Sequence, residues 1–219
     1  MKRLIIAIDG PSGAGKGTIA RTIADALKYR HVDTGAMYRA VGWKAMHDGL
    51  PLDDEAGIAA LAARSQIAVE GGRVVIDGHD VTQAIRTPEI DKAASSVARM
   101  PPVREVLVAR QRRMAEQGGI VMEGRDIGTV VFPNADLKIY LDASAEERAR
   151  RRLNDLAHSG GKAGEAAVAA SIQARDQSDT TRTASPLTVA PDAVLIDTTR
   201  MPIADVVNAV MALLRERAS

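Results

Sequence analysis

The chain has 219 residues, of which 46% are apolar and 26% charged, enough for one core with excursions but not for two large domains. Its 29 Lys and Arg against 28 Asp and Glu leave a formal net charge of +1, so no overall field draws it to nucleic acid or to an anionic membrane. Aromatic residues at 2% argue against base-stacking platforms, and the lack of cysteine excludes disulfides and thiolate metal sites while fitting a reducing, cytoplasmic setting.

In chain order, RLIIAID (residues 3–9) is an apolar run suited to a strand buried on both faces of a parallel sheet. Asp9 ends that run too early for a signal peptide or a membrane span. Residues 15–29 then carry Ile19, Ile23, Ala26 and Leu27 at helical spacing. HVDTGAMYRAVGWKAM reads as a short strand followed by a helix that starts at Asp33 and Thr34. QIAVEGGRVVIDGHDVT alternates apolar and polar residues around turns at Gly71-Gly72 and Asp77-Gly78, which predicts a small antiparallel β insert. Pro88 to Glu116 is helical in pattern, broken where Pro101 and Pro102 end one helix and can begin the next.

GGIVMEGRD, ADLKIYLDAS and DAVLIDT supply three more buried-strand candidates. Between the last two, residues 144–182 form a charged, helix-forming arm, broken once at Gly160-Gly161. An amphipathic helix, PIADVVNAVMALLRERA, closes the chain. The alternation predicts an α/β fold with a central parallel sheet, a β insert and a charged helical arm.

The stretch after the first strand holds the clearest chemistry. Gly10, Pro11, Ser12, Gly13, Ala14, Gly15 and Lys16 fit the phosphate-loop pattern G-x-x-x-x-G-K-[ST], but Gly17 takes the hydroxyl position and Thr18 follows it. Glycines let backbone N–H groups converge on phosphate oxygens, and the helix beginning near Gly15 aims its positive end at them. Lys16 adds a mobile charge for the outer phosphates. Thr18 is then the metal candidate, acting directly or through water. Asp33 has two readings, a water-mediated Mg²⁺ contact or a helix start.

Read together with DTGAMYRA, AASSVA, PPVRE, EGRDIGTVVFP, LDAS, ERARRR and ARDQSDTTR, the loop GPSGAGKGT makes the chain resemble the bacterial-type cytidylate kinases, within the nucleoside monophosphate kinase group of P-loop kinases. The resemblance runs through nearly the whole chain, β insert included. It implies a three-layer P-loop fold whose core is residues 1–33, 92–143 and 185–219. Residues 34–91 would form a monophosphate-binding domain with the β insert, and 144–184 a helical lid. It also implies transfer of the ATP γ-phosphoryl group to CMP or dCMP, with Mg²⁺, by a cytoplasmic monomer that binds neither nucleic acid nor membrane.

Phosphoryl transfer between two anionic nucleotides asks the protein for positioning and charge neutralisation, so arginines are the residues to seek. The resemblance assigns Arg39, Arg125 and Arg182 to the acceptor phosphate, with Lys16, Arg125 and Arg182 as the catalytic group. Arg125 follows a predicted strand, at the carboxyl end where open α/β sheets place ligands. Base reading falls on Ser95, Arg104 and Asp126, with Thr34 close by. Asp126 would accept from the cytosine amine and Arg104 would donate to the ring. The alternative for Ser95 and Arg104 is a role on the surface of a helix pair.

Arg175 and Asp179, four apart, suit either the acceptor sugar hydroxyls that the resemblance implies or an intrahelical ion pair. QSDTT is poorer in arginine than the family often is. Arg148, Arg151 and Arg152 form a basic cluster for which triphosphate contact and a solvated face balanced by Glu146 and Glu147 are both open. A kinase for UMP, AMP or a small alcohol is the nearest rival. A GTPase-type switch would carry an N-K-x-D stretch, which is absent.

Overall fold

The computed structural model describes residues 3–155 and 164–218; the Gly160-Gly161 break lies outside them. Five parallel strands form the main sheet: β1 (Ile5–Asp9), β2 (Arg30–Asp33), β6 (Ile120–Gly124), β7 (Leu137–Asp142) and β8 (Val194–Asp197), in the order β2-β6-β1-β7-β8. The central strand β1 sends Ile6 and Ile8 into one core and Ala7 into the other, so both faces are covered and its side chains are apolar up to Asp9 at its carboxyl end. One face carries α1 (Lys16–Leu27) and α8 (Ile203–Ala218), whose Ile19, Ile23, Val206, Val210 and Leu214 recur one turn apart. On the other face lie α2 (Thr34–His47), α3 (Glu55–Arg64), α4 (Pro88–Val97) and α5 (Pro101–Met114).

The predicted hairpins form β3 (Ile67–Glu70), β4 (Arg73–Ile76) and β5 (His79–Asp80), an antiparallel sheet turning at the two sites read from the sequence. Val74 and Ile76 pack with Val81, Ile85 and Ile90 against Ala36 and Ala40 of α2. The boundary read between residues 91 and 92 falls inside α4. The charged arm comprises α6 (Ala145–Asn154) and α7 (Glu165–Thr181). Among the described residues no helix is long and apolar enough to cross a membrane.

Helix α3 is absent from the sequence reading. It is capped by Asp54, whose carboxylate accepts from the Gly57 N–H at 2.9 Å, and buries Ile58 and Leu61. Residues Ile127–Val131 form one π-helical turn, although β-branched IGTVV would favour a strand. Asp9 explains it: its carboxylate accepts from the N–H groups of Ile127 at 2.8 Å and Gly128 at 2.7 Å. Burial pushes the Asp9 pKa up to about 6 despite these bonds.

Candidate active site

The carboxyl ends of three neighbouring strands converge, because register pairs Asp9 with Gly124 and Asp33 with Glu123. The loop from Gly10 to Thr18 springs from this edge. Gly10 has φ +148°, and a Cβ there would lie 2.0 Å from the Leu141 carbonyl oxygen, so no side chain is admitted. Helix α1 begins without a side-chain cap and without an acidic residue in its first turn. Its leading N–H groups are therefore left for an anion. Lys16 is buried, and its Nζ donates to the Pro11 carbonyl at 2.8 Å. Burial, reinforced by Arg125, lowers the Lys16 pKa to about 7. A phosphate in the loop would restore the charge.

Gly17, the departure from the loop pattern, has a structural explanation. A Cβ at Gly17 would sit 3.2 Å from Glu123 Oε1, so a carboxylate from β6 stands beside the place of the missing hydroxyl. His31 Nε2 lies 2.9 Å from the same oxygen, and Thr34 Oγ1 donates to the Glu123 carbonyl at 2.7 Å. Asp33 accepts from the Ala36 N–H, fulfilling the helix-start reading, and also pairs with Arg39. Thr18 is exposed on the rim.

A cleft of about 1290 Å³ runs from Gly13–Thr18 past Arg150, Arg151 and Arg152 to Thr198 and Ile203. The basic cluster divides its work. Arg148 is buried and donates to the carbonyls of Ala143 at 2.9 Å and Ser12 at 3.2 Å, while pairing with Asp176 at 2.5 Å. Arg151 donates to Gly13 O at 3.4 Å and Thr198 O at 2.6 Å, and pairs with Glu147. These two brace the loop through its carbonyls, Arg151 from the wall of the cleft. Arg152 lines the cleft but hydrogen-bonds Asp91 on α4.

The remaining predicted residues meet across α2, α4, α5, β6 and α7. Arg104 hydrogen-bonds Asp126 Oδ2, with its guanidinium 5.6 Å from the Tyr38 ring centroid. Arg125 Nε donates to Asp179 at 2.7 Å. Burial opposes the Arg125 charge, yet Asp179 outweighs it and holds the pKa above the usual value. The Arg175–Asp179 ion pair does not form: Arg175 turns to Asp91 at 3.4 Å, and Asp179 is taken by Arg125. Burial and then Arg125 lower the Arg175 pKa to about 10. Ser95 Oγ donates to the Asp91 carbonyl on its own helix.

Three buried guanidinium nitrogens in this cluster have no hydrogen-bond partner: Arg39 Nε, Arg175 Nε and Arg182 Nη2. Buried donors are normally satisfied, so these three are candidates to receive an anion. Arg39 and Arg182 were read from the sequence as phosphate ligands. Asp91, Tyr38 and Glu123 were missed; only Glu123 left a signal, since a loop lacking its hydroxyl at Gly17 invites a substitute oxygen nearby.

Residues 6–216 match the cytidylate kinase family. The chain is 50% identical to the cytidylate kinase of Desulfitobacterium hafniense, across 99% of this chain and 94% of that protein. It belongs to the cytidylate kinase family. The cytidylate kinase of Pelotomaculum thermopropionicum is 52% identical, over 94% of each chain. The solved gluconokinase of Sinorhizobium meliloti superposes with a TM-score of 0.51 over 99% of this chain and 96% of its own, at 16% identity, which shows a shared fold. The open cleft at the loop lies beside the buried arginine cluster.

Proposed function

We propose that the enzyme transfers the γ-phosphoryl group of ATP to CMP or dCMP. The cleft and loop would take ATP, with Lys16 and the α1 N-terminus on its phosphates. Arg39, Arg125, Arg175 and Arg182 would surround the acceptor phosphate. An acceptor phosphate oxygen attacks the γ-phosphorus in line, the bond to the β–γ bridging oxygen breaks, and ADP leaves. No covalent enzyme intermediate is needed. The protein's work is to hold both anions in one geometry and to neutralise charge spreading over the transferred group.

Thr18, Asp33 and Glu123 offer hard oxygen donors beside the loop, and Glu123 occupies the space by Gly17, so the residues fit Mg²⁺. When bound, Mg²⁺ would neutralise β- and γ-phosphate charge. Among the described residues no group of three or more acidic or His side chains is arranged for a metal, so phosphate oxygens and water would complete its shell. Within this reading, residues 34–91 are the monophosphate-binding domain, 144–184 the lid and the rest the core, and the acceptor is held by residues of all three.

The observation that carries the acceptor choice is the Arg104–Asp126 pair. Asp126 Oδ2 is taken by Arg104, whereas Oδ1 has Arg182 only at 3.7 Å, beyond hydrogen-bonding distance. The pair therefore presents an acceptor beside a donor. That complements the amine and N3 of cytosine and opposes the reversed pattern of uracil. A site built on such a pair rejects the wrong base strongly, because its buried groups would be left unpaired. ADP production should be measured with Mg-ATP and CMP, dCMP, UMP or AMP, beside a control without acceptor. Turnover confined to CMP and dCMP is expected; ADP release independent of any acceptor would replace this reading with an ATPase or switch.

A further inference from the structure

Past the end of α7, the chain returns to the core through Ser185, which has φ +51° and precedes Pro186. A non-glycine residue in the left-handed region is uncommon, and the residue before proline is restricted further. Two arginines of the acceptor site hold this residue, one through its side chain and one through its backbone. Arg104 Nε donates to Ser185 Oγ at 3.2 Å, and Arg182 Nε donates to Ser185 O at 2.6 Å. Both arginines are buried, and both face Asp126, Arg104 by a hydrogen bond and Arg182 at 3.7 Å.

The two bonds do different work. Arg104 has its Nη1 on the Ala98 carbonyl and its Nη2 on Asp126, so the Ser185 hydroxyl is the third point that fixes its plane. Without it, a buried Nε–H loses its partner and the guanidinium can tilt about the other two contacts. The Ser185 carbonyl meanwhile fixes Arg182, whose free Nη2 belongs to the phosphate cluster. One residue thus sets the base reader through its side chain and a phosphate arginine through its main chain.

We propose that Ser185 is a specificity-positioning residue: its hydroxyl orients Arg104 for cytosine, while its strained backbone ties that orientation to Arg182 at the end of the arm. The proposal rests on the reading of Arg104 and Asp126 as the base-recognition pair. It predicts that losing the hydroxyl weakens cytosine recognition selectively, leaving the ATP side intact.

The test compares wild type with Ser185→Ala and Ser185→Gly, measuring kcat and KM for CMP, UMP and ATP and the melting temperature of each. Alanine removes only the hydroxyl; glycine removes it and also relieves the left-handed backbone. Both variants should raise KM for CMP about five- to tenfold and shrink the preference for CMP over UMP by a similar factor, with KM for ATP unchanged. Ser185→Asn, which tolerates the left-handed region and carries an acceptor oxygen, should recover part of the preference. A lowered melting temperature with an unchanged CMP-to-UMP ratio would overturn the proposal, as would wild-type behaviour of the glycine variant. Wild type failing to prefer CMP over UMP would instead sink the base-reading pair itself, and Ser185's role with it.

Discussion

The two proposed anion sites are built in opposite ways. The donor loop is contiguous, nine residues from Gly10 to Thr18, and its binding groups are chiefly backbone N–H donors released by glycine geometry and an uncapped helix. The proposed acceptor cluster draws Arg39, Arg104, Arg125, Arg175 and Arg182 from three helices or their ends and one strand end, and each is held by a carboxylate or carbonyl. A backbone site can be spelled in one stretch of sequence. A side-chain site must be assembled by the fold, and its charges need partners while no ligand is present. Asp33, Asp91, Asp126 and Asp179 are those partners. Protonation does not follow that division: burial lowers Lys16 in the loop to about 7 and Arg175 in the cluster to about 10, whereas Arg125, tied to Asp179, is driven upward.

The largest test of this contrast removes the one side-chain charge of the loop. Lys16→Met should lower kcat about 100- to 1000-fold, the usual cost of deleting a group aimed at transition-state charge. CMP affinity, measured by calorimetry, should hardly change. Equal loss of CMP affinity would show that the two sites are not separable.

A smaller and sharper effect concerns protons. Because the Lys16 pKa lies near 7 in the nucleotide-free protein and 10.5 is its ordinary value, a triphosphate that restores the charge must bring a proton with it. ADP or ATP binding at pH 8 should therefore take up a fraction of one proton, read as a dependence of calorimetric enthalpy on buffer ionisation heat. Affinity should weaken as pH rises above about 7, and Lys16→Met should abolish the uptake. Folding carries the opposite sign. The unfolded chain binds the extra proton between pH 7 and 10.5, so this group makes the nucleotide-free protein more stable as pH rises through that window.

How much of this was legible follows from the same division. The loop, the Asp33 helix start, the hairpin turns at Gly71-Gly72 and Asp77-Gly78 and the break at Pro101 are local signals, and each stands where the sequence places it. The π-helical turn at Ile127–Val131 was not, because its cause is Asp9, more than a hundred residues away. The pairing of the arginines was equally hidden. Arg175 and Asp179 suit one another by spacing, yet each finds a distant partner that helical periodicity cannot reveal. Asp91 and Ser185 carry no motif at all; they matter only because α4 meets Arg152 and Arg175 while the end of the arm meets Arg104 and Arg182.

The central claim is that a backbone loop holds the donor and a separate arginine cluster holds the acceptor. Arg39→Gln tests it most directly, since Arg39 Nε is a buried donor without a partner and Arg39 lies outside the loop. Calorimetric titrations of this variant with CMP and with ADP should show CMP binding weakened by about tenfold or more and ADP binding unchanged. Loss of ADP affinity as large as the loss of CMP affinity would contradict the account.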